Sequence, residues 1–382
     1  LLLGLLWVPR PAPSMEDPTF PHLGESLQPP PPACPQRCSC PRADTVDCAG
    51  LDLWVFPSNI TKAARHLSLQ NNQLQELPYN ELSRLSGLQT LDLHGNFISS
   101  EGLPDEAFES LTQLQHLYVA HNKLSVAPQF LPHSLRVVDM AANEVAEIFP
   151  LTFRDKPALT SVYLHNNVLS NSGLPSGAFR GSEAITTLSL SSNQLSDLPP
   201  GLPASLERLF LQNNLISKVP QGALCCQTRL RELHLQYNKL TDGGLDATTF
   251  RLQRNQLRAL EPEQLAGLGQ LRELSLAHNR LRVGDIGPGT WHELQALQVL
   301  DLSYNDLSFV PPDLPEALEE LHLQGNRIGH VGPEAFFSTP RLRALFLRAN
   351  RLHMTSISAE AFLGLAHLRV VDAADNLEQV LV

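Results

Sequence analysis

The sequence predicts an α/β-type solenoid with a curved parallel sheet on its concave side, and three observations predict it. A leucine pattern recurs from end to end, an asparagine holds a fixed place in each copy, and a four-cysteine cluster precedes the first copy. The stretch LERLFLQNNLI shows the unit: Leu206, Leu209, Leu211, Asn214 and Ile216 follow LxxLxLxxNxL. Its inner LxL reads as a short strand, with the leucines on one side and Phe210 on the other. One copy cannot bury its apolar side. Stacked copies can, so self-similarity at this period predicts a leucine-rich-repeat solenoid, with strands inside and irregular, 3-10 or polyproline arcs outside. The asparagine stands where the chain leaves the strand, and its amide has donors and acceptors for backbone groups of the neighbouring turn.

Residues 1–14 begin with the apolar run LLLGLLWV, broken at Pro9, and read as part of a secretory signal with cleavage near Ser14. The run is much shorter than the ~20 residues that span a bilayer, so a secreted product with no membrane span is expected. Residues 15–33 are proline-rich, ending in Pro29 to Pro32, and predict a flexible or polyproline-like arm. Residues 34–60 hold Cys34, Cys38, Cys40 and Cys48, spaced C-x3-C-x-C-x7-C. In a secreted chain this favours disulfides over metal, and no histidine lies at ligand spacing among them. The spacing leaves three pairings open. A small cross-linked hairpin here would cover the apolar end of the first turn. Asn59, in Asn59-Ile60-Thr61, is a glycosylation sequon at the junction of this cap with the first repeat.

The ladder then runs through Asn72, Asn96, Asn122, Asn143, Asn167, Asn193, Asn214, Asn238, Asn255, Asn279, Asn305, Asn326, Asn350 and Asn376. The separations cycle through 24, 26 and 21 residues, 71 per cycle, with one exception of 17 between Asn238 and Asn255. The short turns carry proline arcs (LPPGLPASL, VPPDLPEAL), and the longest carry GLPDEAF or GLPSGAF, whose Phe108 and Phe179 are expected to plug the convex side. Phe250 stands twelve residues after Asn238, as Phe108, Phe179, Trp291 and Phe362 do after their asparagines, yet Leu252 and Asn255 already close another strand. The repeats of 61–250 and of 251–382 therefore read as joined by an excision near 250/252, of 30 residues or that plus whole cycles of 71. The last strand, Leu368 to Ala373, is expected to have an open edge, because no second cysteine pair follows it.

Composition narrows the function. With 28 Lys and Arg against 39 Asp and Glu, the formal charge is -11 and no basic stripe is present, which argues against a nucleic acid partner. No HExxH, GxSxG, phosphate-cradling glycine loop or zinc-finger CxxC pair occurs, so no enzyme, cofactor or metal is expected. His234 and His322 lie several turns apart, too far to share a metal, and read as solvated surface histidines. Cys225 and Cys226 fall at arc positions. Adjacent cysteines rarely pair with each other, which leaves free thiols or an intermolecular link.

The cysteine cap, the asparagine ladder and the 24-26-21 rhythm together resemble the small leucine-rich proteoglycans of the extracellular matrix, and among them the podocan group. The resemblance covers residues 34 to 376. It implies that Cys34 pairs with Cys40 and Cys38 with Cys48, and that the chain is a secreted matrix protein. It further implies collagen or growth-factor binding through the concave face and no catalysis. Glycosaminoglycan attachment is not supported, because Ser86-Gly87, Ser172-Gly173 and Ser176-Gly177 lack acidic clusters. On the concave face, the best candidate patch is Tyr118, Tyr163 and Phe210, flanked by His116, Asp139, His165, Arg208, Glu232 and His234. Aromatic side chains on a rigid sheet lose little entropy on binding and offer large contact area. The partner expected there is collagen or another matrix protein. The alternative is a growth factor or receptor captured by the same surface.

Overall fold

The computed structural model describes residues 34–217, 224, 226–235, 237–239, 269–287 and 289–382. Among these residues fifteen short strands carry the architecture. The cap supplies β1 (Ser39–Arg42) and β2 (Thr45–Asp47), an antiparallel pair. Then follow β3 (His66–Ser68), β4 (Thr90–Asp92), β5 (His116–Tyr118), β6 (Val137–Asp139), β7 (Ser161–Tyr163), β8 (Thr187–Ser189), β9 (Arg208–Phe210) and β10 (Glu232–His234). After the residues outside the description come β11 (Glu273–Ser275), β12 (Val299–Asp301), β13 (Glu320–His322), β14 (Ala344–Phe346) and β15 (Val370–Asp372). From β2 onward every pair is parallel, each strand bonded to the next in sequence, in a ten-stranded sheet β1 to β10 and a five-stranded sheet β11 to β15.

The predicted periodicity is met residue by residue. From β3 to β14 the two leucine positions flanking each outward residue, such as Leu67 and Leu69 or Leu209 and Leu211, are buried and belong to one continuous core; at β15 Val371 and Ala373 are only partly buried. Most of the described asparagines are buried too, from Asn72 to Asn214 and from Asn279 to Asn350, and their amides bond backbone groups of adjacent turns, as Asn96 does. The amide of Asn96 donates to Leu69 O at 2.9 Å and Leu93 O at 3.0 Å, while its oxygen accepts from Leu74 N at 3.1 Å. Each strand carbonyl of this kind is shared: Leu69 O also receives Asn72 Nδ2 at 2.9 Å. The residue just before the asparagine adopts a left-handed backbone, with φ 55° at His121, 54° at Ala142 and 53° at Ser192. Non-glycine residues pay for that conformation, and the ladder on both sides holds them in it.

Among the described residues the arcs are irregular, with one five-residue helix, α1 (Tyr79–Ser83), and 3-10 turns at Asn171–Gly173 and Val283–Asp285. Phe108 and Phe179 plug the convex side as expected, and so does Trp291. Phe153 and Phe336, in 24-residue turns, do the same and were not anticipated; Phe153 stacks on Phe179 at 5.9 Å and Phe336 on Phe362 at 5.9 Å. The cap closes the first turn through disulfides Cys34–Cys40 and Cys38–Cys48, with Cys48 fully buried against the core.

Residues 1–33, Phe250, Leu252, Asn255 and Cys225 lie outside the described residues; Cys226 is exposed. Among the described residues no strand stands between β10 and β11. Arg272 N instead donates to Arg231 O at 3.4 Å, in the register where Arg231 N meets Glu207 O at 2.7 Å and Gln298 N meets Arg272 O at 2.9 Å. At the other end β15 pairs with β14, and Val370 on it is 47% exposed. No helix among the described residues is long and apolar enough to cross a membrane.

Candidate ligand-binding face

The last residue of each strand forms a column across the concave sheet. Because pairing is in register, Asp92, Tyr118, Asp139, Tyr163, Ser189, Phe210 and His234 are successive neighbours on β4 to β10. Beside it, the first strand residues contribute His116, Arg208 and Glu232, and His165 follows β7. The sheet thus brings all nine predicted patch residues onto one face. Tyr118, Tyr163 and Phe210 are half-buried rather than fully exposed, since their rings lie along neighbours: His116 is 6.3 Å from Tyr118 and His165 is 6.1 Å from Tyr163, centroid to centroid.

The charges at this face are set by burial. Asp139 Oδ1 accepts from Ala141 N at 3.0 Å and Asp92 Oδ1 from His94 N at 3.0 Å, so one carboxylate oxygen of each is tied to its own turn. Burial raises the Asp92 carboxyl above its ordinary value, against the His94 contacts, which lower it. The Tyr118 phenol is raised by burial and then by Asp92 and Asp139 on either side. His116 is lowered by burial, then by Arg136 and His66; His165 is lowered by burial, with Asp139 opposing and His121 adding. At neutral pH both imidazoles are therefore neutral, and across β4 to β7 the phenols of Tyr118 and Tyr163 alternate with the acidic side chains of Asp92 and Asp139.

The expectation of a solvated histidine is overturned at β10, while the histidine at β13 is half-buried. His234 is buried, its ring 4.4 Å from Phe210 and its Nε2 3.6 Å from Glu232 Oε2. His322 repeats the arrangement, stacked on Phe346 at 4.4 Å with Glu320 Oε1 at 2.7 Å. A flat ring on one strand covers the flat ring of the next, because parallel in-register pairing sets them one rung apart. The sequence reading also missed His94 and His121, whose rings meet edge to face at 4.7 Å beside the patch. Among the described residues no group of three or more His, Cys, Asp or Glu side chains could hold a metal ion.

Leucine rich repeat family profiles match residues 133–195, 186–240 and 316–377, with further matches at 87–111 and 296–316. Podocan-like protein 1 of Mus musculus is 55% identical over 554 aligned positions that take in 100% of this chain and 99% of that protein. This chain belongs to the podocan group of small leucine-rich proteoglycans. Podocan-like protein 1 of Homo sapiens is 61% identical over 406 positions, covering 98% of this chain and 79% of the human protein. Podocan and fibromodulin are among its further relatives, which are extracellular-matrix proteins and not enzymes. Among solved structures, a leucine-rich-repeat protein of Leptospira interrogans superposes with TM-score 0.63 at 26% identity, covering 84% of this chain and 81% of that one. The mouse alignment exceeds the 382 residues of this podocan-group chain by 172 positions. The human alignment exceeds the aligned share of the chain, about 374 residues at 98%, by about 32.

Proposed function

We propose that the chain is secreted into the extracellular matrix and binds collagen, or another extended matrix protein, through the concave face of β4 to β10. The observation that carries this reading is the alternation of Asp92, Tyr118, Asp139 and Tyr163 on consecutive rungs. Rungs lie about 4.8 Å apart, so each carboxylate and each phenol recurs every two rungs, about 9.6 Å. A polyproline-type strand advances about 9.3 Å in three residues and presents the same face at each third residue. Basic side chains at that interval could meet successive carboxylates while its rings and methylenes lie on the tyrosines. The half-buried aromatics favour the same reading, because little side-chain freedom remains to be lost.

The test is binding of the Tyr163→Ala/Phe210→Ala protein to fibrillar collagen and, in parallel, to a panel of growth factors. Loss of collagen binding supports the matrix reading; loss confined to a growth factor favours capture of a soluble signal. Undiminished binding in both arms removes the concave patch from consideration.

The phase break near 250/252 belongs to the same proposal. An excess of 172 positions is thirty plus two cycles of 71, and the human excess of about 32 sits close to thirty alone. Both support removal of the parts of two turns, with whole cycles in the mouse case. Genomic sequence between the codons for Phe250 and Leu252 would carry the missing turns; an uninterrupted coding run there defeats the idea.

A further inference from the structure

The convex side carries a second feature, independent of the concave face. Three residues before the position that opens each LxxLxL unit, every described turn from the one leading into β4 onward buries one residue under its arc. The occupants are Leu85, Leu111, Pro132, Ser182, Pro203, Gln227, Leu294, Pro315, Thr339 and Leu365, all uncharged. Between β6 and β7 the occupant is Lys156, 4% exposed. It follows the short turn whose proline arc leaves a cleft of about 370 Å³, walled by Glu109, His133, Leu151 and Arg154 among others.

In the equivalent place one cycle later, Gln227 donates to Leu202 O of the short arc at 3.0 Å, which is what a purely structural side chain does there. Lys156 Nζ does not repeat that bond; its one hydrogen bond among the described residues is to Arg154 O at 3.1 Å. Two of its three N–H groups are thus left for something else. Arg154 Nε is buried without a hydrogen bond and forms a loose ion pair with Asp155 Oδ2 at 3.5 Å. Asp155 lines the cleft as well, with its Oδ1 reaching the following turn, so close over Gly181 that a Cβ there would meet it at 1.9 Å. His133 Nδ1 is 2.7 Å from Asp155 O and holds the rim across from Arg154. Burial lowers the Lys156 ammonium from its ordinary value, with Asp155 opposing, so a bound anion would relieve a cost the fold now bears.

We propose that this cleft is a tetrahedral-oxyanion site, in which Lys156 Nζ and Arg154 Nε donate to a sulfate group. The source is either the free inorganic ion or a sulfate ester on a polysaccharide chain, and the two are separable. The full chain and its Lys156→Leu variant are compared by equilibrium dialysis against radiolabelled sulfate and by retention on immobilised heparin with a desulfated heparin control. Leucine already fills this position at Leu85, Leu111, Leu294 and Leu365, so the variant keeps the core plug. Arg154→Ala, on a side chain 38% exposed, removes the second donor and leaves Lys156 in place. Each substitution is expected to weaken binding about tenfold or more, as for a lost charge-assisted hydrogen bond. Lys156-dependent binding of inorganic sulfate identifies the free anion as sufficient. Lys156-dependent retention on heparin alone identifies the polysaccharide. Wild-type and both variants behaving alike in both arms overturns the proposal.

Discussion

Replacing Asn143 by alanine tests the ladder that sets every other feature in place. Asn143 Nδ2 donates to Val119 O at 3.1 Å and Met140 O at 3.0 Å, and its Oδ1 accepts from Leu124 N at 3.0 Å. The two carbonyls keep a second donor when it is gone: Val119 O from Asn122 Nδ2 at 3.1 Å, and Met140 O from Asn167 Nδ2 at 3.0 Å. Leu124 N has no such substitute among the described residues and sits beside a fully buried side chain. One orphaned buried donor costs about 1–3 kcal/mol, and two carbonyls that each keep a second donor add about 0.5 kcal/mol each, so about 2–4 kcal/mol is expected in all. Each turn of a solenoid contacts only its neighbours, so the loss should be local. Hydrogen exchange should quicken about thirty-fold to several hundred-fold in the turns of β5 to β7 and be unchanged in those of β12 to β14. Equal acceleration across both sheets, or less than about threefold at β6, would contradict the shared-carbonyl account.

Three further outcomes follow from the same geometry. Phe153→Ala removes a fully buried convex ring stacked on Phe179 and should cost about 3–5 kcal/mol in urea unfolding, while Phe337→Ala, 77% exposed one turn position along, should cost almost nothing. His116 and His165 are held below the ordinary value of 6.5, so the unfolded chain takes up protons first as pH falls. Their contribution is therefore present above about pH 6.5 and lost below it, and stability should drop between pH 7.5 and 5.5 with a slope that the His116→Gln/His165→Gln protein shows less of. Asn59 is exposed in a left-handed turn beside buried Ile60, so protein from mammalian culture medium should lose the mass of one N-glycan on enzymatic deglycosylation and Asn59→Gln protein should have none to lose.

What could be read from the sequence is what repeats along the chain. Leucine and asparagine spacing alone places each strand, its buried and outward residues, and Phe108 or Phe179 under their arcs, because one rule is enforced in every turn. Side-by-side relations between turns were harder to see. That His234 would be covered by Phe210, and His322 by Phe346, depends on parallel register between strands 24 residues apart, which treating each turn singly does not capture. The left-handed residue before each asparagine was also missed, since Ala142, Ser192 and Tyr304 have no composition in common. Lys156 was overlooked for a related reason: its oddity shows only when its slot is compared with Leu85, Gln227 and Thr339.

The phase of the repeat also accounts for the joint between the two sheets. β10 ends a 24-residue turn and calls for a 26-residue turn after it; so does β11, since 26 residues separate Asn279 from Asn305. Setting β11 directly after β10 therefore brings together two strands of the same phase, with Asn238 and Asn279 41 residues apart where every other neighbouring pair is 21 to 26 apart. Arcs of one kind are shaped to pack on arcs of the next kind, as the paired rings of Phe153 and Phe179 and of Phe336 and Phe362 show in the two regular stretches. Two like-phase turns lack that complement. The backbone records the mismatch: the bond from Arg272 to Arg231 is 3.4 Å, against 2.7 and 2.9 Å at the same step on either side. A concave surface that depends on unbroken register is thus complete from β4 to β10 and again from β11 to β15. A partner long enough to cross both would meet a change in the sequence of outward residues at that joint.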